Sequence, residues 1–255
     1  MPDDAPMNQS PSALCMPLLK SPSQLTPASI SQAWREVWPH MPDPGNLEFK
    51  ESAFTCQVNG ALAGAMVMPA PIPNNEVNGP ASTSWLWPTA PQDLQGYDAH
   101  IVVFVSQAES HLAAFQAMTR VAAAIVRASN ALGVYMGGAG IVVRADVFVE
   151  MAQEMEIPVP LWVDLRCVAS GDGGSGLFTV GLQQFGLMEV EVPSSPQKCG
   201  DLRMWTMSLA SWLIETRPTI NSGETVGLSA DERIRVDHAP SMINREGPVM
   251  RLTGI

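Results

Sequence analysis

Two glutamates in the segment MEVEV have a spacing that could support chemistry. Glu189 and Glu191 are two residues apart, so in a β-strand both side chains would lie on one face. Paired carboxylates of this kind bind metal ions or divide the roles of general acid and general base. Asp164, on a preceding predicted strand, could join them in a metal-assisted site. A solvated acidic strand face has the same spacing, so both interpretations stay open.

Other catalytic patterns are missing from the sequence. Restriction-type nucleases follow an aspartate with Glu-x-Lys on a later strand, but here Glu191 stands in the lysine position. The four histidines have no motif around them, and no G-x-S-x-G nucleophile elbow occurs. We therefore predict no catalytic, cofactor-binding or metal-binding residue, and we expect that the protein is not an enzyme.

The glycine-rich stretch VYMGGAGIVV, residues 134–143, raises the question of phosphate binding. A phosphate loop needs a strand, then glycines, then a helix whose N-terminus faces the phosphate. Here the glycines are followed by Ile-Val-Val, which favours a strand. We expect these glycines to permit a sharp turn or close packing, and to bind no nucleotide.

The charge of the chain limits its partners. The formal net charge is −11, and residues 146–201 alone carry nine acids and two bases. Nucleic-acid binding requires Lys and Arg to neutralise phosphates, so we expect no nucleic-acid partner. An acidic surface suits a basic protein, although acids also keep a surface soluble. The carboxylates in this block that we predict to contact a partner are Asp164, Asp172, Glu189 and Glu191.

Two tryptophans stand in a long segment with little regular pattern. Residues 69–99 hold six prolines, and long irregular loops of this kind often have functional roles. Trp85 and Trp87 are candidate partner-binding residues because Trp is enriched at interface hot spots. Folding back onto the core is the alternative for each.

The four cysteines, at 15, 56, 167 and 199, include no CxxC pair. This spacing predicts neither a zinc site nor a dense disulfide framework. The N-terminus lacks a basic region before its apolar run, and no window is long enough for a transmembrane span. We expect a soluble cytoplasmic protein with no membrane partner.

Helix signals are clearest in two segments. Thr26 and Pro27 predict the start of a helix that ends at Pro39. Ser106 and Glu109 have the spacing of a capping box, and Gly133 is placed to end the helix 107–132. A third helix near the C-terminus is predicted to bury five side chains: Leu202, Trp205, Leu209, Trp212 and Leu213.

Strand signals lie between these helices. Asn59 and Gly60 predict a tight hairpin turn. Pro17 predicts that residues 13–19 form an edge strand, since proline cannot donate to a neighbour on both sides. The apolar run 100–105 predicts a buried strand.

The element order predicts an α+β fold, with a mixed or antiparallel sheet packed against a long central helix and a long Pro-rich irregular loop. Residues 1–12 are expected to form a flexible tail. Residues 13–255 are expected to form one domain, with a peripheral part at 13–99 and a core part at 100–255. Strands 100–105 and 161–168 are expected in the same sheet.

Several ordered segments together resemble a known family. YDAHIVVFV, ALGVYMGGAGIVVRADVFVE, VPLWVDLR, GLFTVGLQQFGLMEVEV and GETVGLSADERIRV look like a bacterial family known only as a domain of unknown function, number 4261. The resemblance spans about residues 50–252. More distantly, such families resemble Suppressor-of-Fused-like proteins. The resemblance implies no catalytic residue.

That broader group implies a function in toxin immunity. Its members are thought to serve as immunity proteins against secreted toxins, including type VI secretion effectors. The first hypothesis is therefore a cytoplasmic immunity protein that binds a cognate, basic toxin, such as a nuclease. An enzyme with a metal-assisted carboxylate site is the second, and an accessory component of a secretion machine is the third.

Overall fold

The computed structural model describes residues 11–229 and 231–255. These residues form two compact units that divide between Glu156 and Ile157, and each unit has its own sheet. Of the predicted flexible tail, residues 1–10 lie outside the described residues.

The described residues of the first unit form seven strands and five α-helices. Its strands are β1 (Ala13–Leu19), β2 (Gly45–Lys50), β3 (Ala53–Val58), β4 (Ala61–Met68), β5 (Ala99–Ser106), β6 (Gly133–Met136) and β7 (Ile141–Arg144). Its helices are α1 (Pro27–Val37), α2 (Asn78–Thr83), α3 (Ala90–Asp93), α4 (His111–Ser129) and α5 (Ala145–Glu154). The predicted α1, with its Thr26 cap, is confirmed.

The seven strands form one antiparallel sheet in the order β2-β3-β4-β5-β1-β6-β7. The prediction that residues 13–19 form an edge strand is wrong, because β1 lies between β5 and β6. The register between β1 and β5 skips Met16 and Pro17, while both residues still pair with β6. A central strand therefore tolerates Pro17 where its pairing with one neighbour is interrupted.

Helix α4 packs against β1, β4 and β5 and forms the centre of the unit. Its cap is Ser110, whose hydroxyl accepts from the Ala113 N–H, so the predicted capping box at Ser106 and Glu109 is wrong. The helix ends at Asn130 in the left-handed conformation, three residues before the predicted stop at Gly133. An asparagine tolerates this conformation, so the helix does not need glycine there.

Two hairpin turns agree with their sequence signals. Asn59 and Gly60 join β3 to β4 with positive φ at both positions, as a type I′ turn requires. Residues 137–140 join β6 to β7, and the Gly140 N–H donates to the Met136 carbonyl at 2.9 Å. Because a strand follows this loop, it lacks the helix N-terminus that a phosphate loop uses.

The second unit has a smaller, mixed sheet. Its helices are α6 (Val159–Trp162) and α7 (Cys199–Thr216), and its strands are β8 (Asp164–Ala169), β9 (Ser175–Val180), β10 (Val190–Ser195), β11 (Thr225–Val226), β12 (Ile234–Pro240) and β13 (Pro248–Thr253). The strand order is β11-β12-β13-β10-β9-β8, with β10 parallel to β13.

Helix α7 packs against β8 and β9 through Leu202, Leu209 and Leu213, which are buried as predicted. Trp205 is half-buried, and its indole N–H donates to the Glu232 carboxylate at 2.9 Å. The prediction for Trp212 is wrong, since its side chain is exposed. A disulfide between Cys167 and Cys199 joins β8 to the first residue of α7.

The α+β class and the mixed and antiparallel pairing are confirmed. The placement of 100–105 and 161–168 in one sheet is wrong, because β5 and β8 belong to different sheets. Strands from 13–99, which we predicted to be peripheral, lie beside β5 in the first sheet. The prediction that residues 13–255 form a single domain stays a prediction. No helix among the described residues is long and apolar enough to cross a membrane.

Candidate functional site

The Glu189 carboxylate is buried and accepts hydrogen bonds from its own unit. Its Oε2 accepts from the Thr179 hydroxyl at 2.6 Å, and its Oε1 accepts from the Gly181 N–H at 2.7 Å and the Gln183 N–H at 3.3 Å. Glu189 thus fixes the turn that follows β9.

Glu191 is also buried, but it has a different set of partners. It accepts from the Ser241 hydroxyl at 2.6 Å and from the Met242 N–H at 2.9 Å, and Arg251 lies 3.9 Å away. Glu191 therefore holds the chain that follows β12 against the sheet.

Asp164 is the third predicted carboxylate, and it lies at the start of β8. The Arg166 guanidinium donates to its Oδ2 at 2.5 Å. Burial raises the pKa of Asp164, while the positive charges of Arg166, Arg203 and Arg245 act in the opposite direction. Asp164 is thus a buried, ion-paired carboxylate.

These three carboxylates do not form the metal-assisted site that their sequence spacing allowed. Among the residues that the structure describes, no group of three or more His, Cys, Asp or Glu side chains could hold a metal ion. Asp164, Glu189 and Glu191 each bind separate donors of the second unit. Because all three are buried, contact with a protein partner would require them to give up these donors.

Asp172 is the exposed member of the predicted set. It lies in the turn between β8 and β9, where its carboxylate accepts from the hydroxyls of Ser170 and Ser194 and from the Gly174 N–H. These hydrogen bonds lower the pKa of Asp172 to about 2. Asp172 therefore stays charged at any physiological pH.

The two candidate tryptophans lie in different environments. Trp87 is buried in a cluster of apolar residues, over Gly133 at the start of β6, and its indole N–H donates to Asp93 at 2.7 Å. Trp85 is half-buried. The segment 69–99 is held to the sheet at this end, because the Ser84 hydroxyl donates to the Val142 carbonyl at 2.7 Å. Trp87 is thus a core residue, and Trp85 alone retains accessible surface.

A row of exposed carboxylates lies elsewhere in the same acidic block. Asp146, Glu150 and Glu154 follow one another at four-residue intervals on α5, so they line one face of that helix. Arg144 pairs with Asp146 at 2.5 Å. Within the described part of the chain, neither Glu150 nor Glu154 makes a hydrogen bond or an ion pair. Two negative charges on this face are therefore not balanced.

The carboxylate row forms the rim of a groove between α5 and the C-terminal turn of α4. The groove has a volume of about 410 Å³, and its floor has an apolar part, formed by Val126, Ala131, Ala145 and Val149, beside the polar Asn130 and Gln153. Arg127 also lines it, but its charge is balanced by Glu36 at 2.7 Å. The carbonyl end of α4 adds partial negative charge there. We call this feature the α4–α5 groove.

Sequence reasoning missed the α4–α5 groove, although a signal for it was present. In ADVFVEMAQE the acids recur every four residues beside an apolar row, which is the pattern of a helix with one acidic edge. The sequence does not show that α4 ends beside this helix, so the groove itself was not predictable.

One further exposed surface of the first unit has an apolar patch. Leu14, Met66 and Phe104 are exposed on β1, β4 and β5, and Leu14 pairs directly with Phe104. The Phe104 ring lies over Gly64, where a Cβ atom would be 2.4 Å from it. Exposed apolar patches of this kind occur at protein–protein contacts.

The described chain is thus an α+β protein with an acidic groove in its first unit and buried carboxylates in its second. Residues 178–253 match the model of a family described as a domain of unknown function (DUF4261). The match falls within the second unit and supports the resemblance over those residues. The wider span and the link to Suppressor-of-Fused-like immunity proteins stay predictions. No curated protein matches the chain.

Proposed function

We propose that this protein is an immunity-type binding protein that neutralises a cognate secreted bacterial toxin by direct contact. The observation that carries the proposal is the α4–α5 groove, which combines an apolar floor with the unbalanced charges of Glu150 and Glu154. Carboxylates on a rim speed the encounter with a basic protein, and apolar area at the centre of a contact slows its dissociation.

A basic nuclease, such as a type VI secretion effector, is the toxin class that this surface suits. A nuclease binds phosphates with Lys and Arg in its cleft. Carboxylates presented at that cleft would occupy the same cations and exclude the nucleic acid. The net charge of −11 supports the encounter from a distance.

The proposal places this contact in the cytoplasm, where a nuclease toxin would act. The disulfide between Cys167 and Cys199 is a bond that oxidising compartments favour. A cytoplasmic location predicts free thiols at Cys167 and Cys199 in cells, whereas an oxidising compartment predicts the disulfide. Rapid alkylation of the protein in intact cells, followed by mass spectrometry, would find free thiols at both positions if the cytoplasm is correct.

The deciding experiment is a survival assay with the product of an adjacent gene that kills cells when expressed alone. Co-expression of this protein should restore growth, and the pair should co-purify with an inactivated form of the toxin. Equal killing with and without this protein, when it is folded and present at comparable level, would overturn the immunity proposal.

A further inference from the structure

The α4–α5 groove offers two parallel rows of side chains to a partner. Asp146, Glu150 and Glu154 form the acidic row of α5. Ala145 and Val149 precede the first two of these carboxylates by one position, so a short apolar row runs beside the acidic one; the third position of that row is Gln153, whose side-chain amide donates to the Val37 carbonyl. The two rows are neighbours because residues four apart divide the helix surface into four rows, each about 90° from the next.

Two adjacent rows limit the shape of the partner. A helix presents a basic row at positions i, i+4 and i+8 next to an apolar row one position away, and both rows can face the groove together. A β-strand presents a single row to one face, because its alternate side chains point the opposite way. An extended segment could therefore meet the carboxylates or the floor, but not both.

The distances along α5 agree with a helical partner. Four residues of helix rise about 6 Å, so Lys or Arg residues four apart on a second helix recur at the interval of the carboxylates. Rows spaced four residues apart are also the ridges that interlock in the commonest packing of two helices. The terminal turn of α4 would be the second wall of this contact.

Charge determines which helix fits. Glu150 and Glu154 repel each other at this spacing, and a cation placed between them relieves the repulsion. The partner helix must therefore be basic on the row that meets the rim and apolar on the row that meets Val149. A helix with acidic residues in the first row would be repelled.

We propose that the α4–α5 groove binds an amphipathic helix of the partner that carries Lys or Arg at four-residue intervals beside an apolar row. This inference rests on the proposed function for the identity of the partner, but the chemistry of the contact follows from the groove alone.

Three synthetic peptides test the proposal by fluorescence anisotropy. The first is a helix-forming 18-residue peptide with Lys at four-residue intervals and a Leu row one position away. The second has the same composition with the two rows scrambled, and the third alternates Lys and Val to favour an extended chain. The first peptide should bind at least about tenfold more tightly than either other peptide, because it alone meets both rows.

Matched variants assign the binding to the groove. Glu150→Gln together with Glu154→Gln should weaken binding of the first peptide by about tenfold and reduce its salt dependence. The control removes the same charge at the opposite edge of the sheet, with Glu48→Gln and Glu51→Gln, and should change affinity less than about twofold. Val149→Thr keeps the size of the side chain and should weaken binding through loss of apolar contact.

Each result decides between the alternatives. Equal affinity for the first two peptides, or binding unaffected by the change at Glu150 and Glu154, would overturn the helical groove. Tighter binding of the extended peptide would assign the surface to a strand and overturn it as well. Full protection from the toxin by the Glu150→Gln, Glu154→Gln variant would refute this inference while the proposed function stands. Absence of protection by the unmodified protein, with the first peptide still bound in the groove, would refute the proposed function alone.

Discussion

Removal of the Glu189 carboxylate should destabilise the second unit strongly. In Glu189→Ala the N–H groups of Gly181 and Gln183 lose this acceptor, and the Thr179 hydroxyl keeps only the Val190 carbonyl at 3.5 Å. A buried donor without a partner costs about 1 to 3 kcal/mol. The Gln183 bond is long and partly buried, so mainly the other two count, and we expect a loss of about 3 to 5 kcal/mol. That loss is a large part of the roughly 5 to 15 kcal/mol that stabilises a typical domain.

A smaller change at Glu189 separates the effect of the side-chain charge from the effect of its size. Glu189→Gln keeps the volume, and its single carbonyl oxygen can still accept from Gly181 and Gln183. Its amide would then donate to the Thr179 hydroxyl, which already accepts from the Val190 N–H at 2.8 Å. The hydroxyl proton would be left with the Val190 carbonyl at 3.5 Å. We expect an intermediate loss, about 1 to 2 kcal/mol, because one charge-assisted bond is weakened while the N–H groups keep an acceptor.

Hydrogen–deuterium exchange in urea measures the two units separately. Amides of β9 and β10 should lose protection in the order unmodified protein, Glu189→Gln, Glu189→Ala, while amides of β5 stay unchanged as an internal control. Glu215→Ala removes an exposed carboxylate from α7 and should alter protection by less than about 0.5 kcal/mol. A decrease of less than about 1 kcal/mol in the free energy of unfolding of Glu189→Ala would refute the reasoning, since leaving buried donors unpaired should cost more than that.

Three further outcomes follow from single contacts. Gly133→Ala should lower the free energy of unfolding by about 2 to 3 kcal/mol, because the new Cβ would lie 2.5 Å from the backbone oxygen of the facing strand; a denaturation midpoint equal to that of the unmodified protein would contradict this. Reduction of the bond between Cys167 and Cys199, which are 32 residues apart, should cost about 3 to 4 kcal/mol by the loop-entropy argument, measured by urea unfolding with and without reductant. Asp172 should titrate near 2 by NMR, and Ser194→Ala should raise that pKa; its stabilising contribution is present above the unfolded pKa of 3.8 and is lost as pH falls through 2.

Local signals in the sequence predicted local structure well. The cap at Thr26 and the turn at Asn59 and Gly60 each depend on a few neighbouring residues, and both are confirmed. The Ser106 cap failed because Ser110, four residues later, offers the same chemistry with the correct backbone conformation. Sequence spacing alone does not choose between two serines four residues apart that could both cap a helix.

Long-range pairing was not predictable in the same way. Pro17 indicates that β1 lacks one backbone N–H donor. Only the strand register shows that pairing is interrupted on the β5 side, at Met16 and Pro17, while pairing with β6 continues. Gly133 was interpreted by its place after a helix, whereas its role is to leave room for Trp87, 46 positions earlier in the chain, as a Cβ would lie 2.3 Å from that ring. Contacts of this kind arise from tertiary packing and leave no local pattern.

The acidic block of residues 146–201 shows why a charge count cannot locate a binding surface. Its balance of nine acids to two bases treats all carboxylates alike. The structure divides them by burial. Glu189 and Glu191 accept hydrogen bonds from N–H and hydroxyl donors of their own unit, while Glu150 and Glu154 remain exposed without a described partner.

A buried carboxylate that is already hydrogen-bonded is poorly suited to bind a partner, because contact would first require these hydrogen bonds to be broken. An exposed pair beside an apolar floor loses only water when a cation arrives, and the electrostatic attraction acts over the full screening distance of about 8 Å. The edge of α5 is therefore better suited to attract the proposed basic partner than Glu189 and Glu191, whose carboxylates hold turns of the second unit.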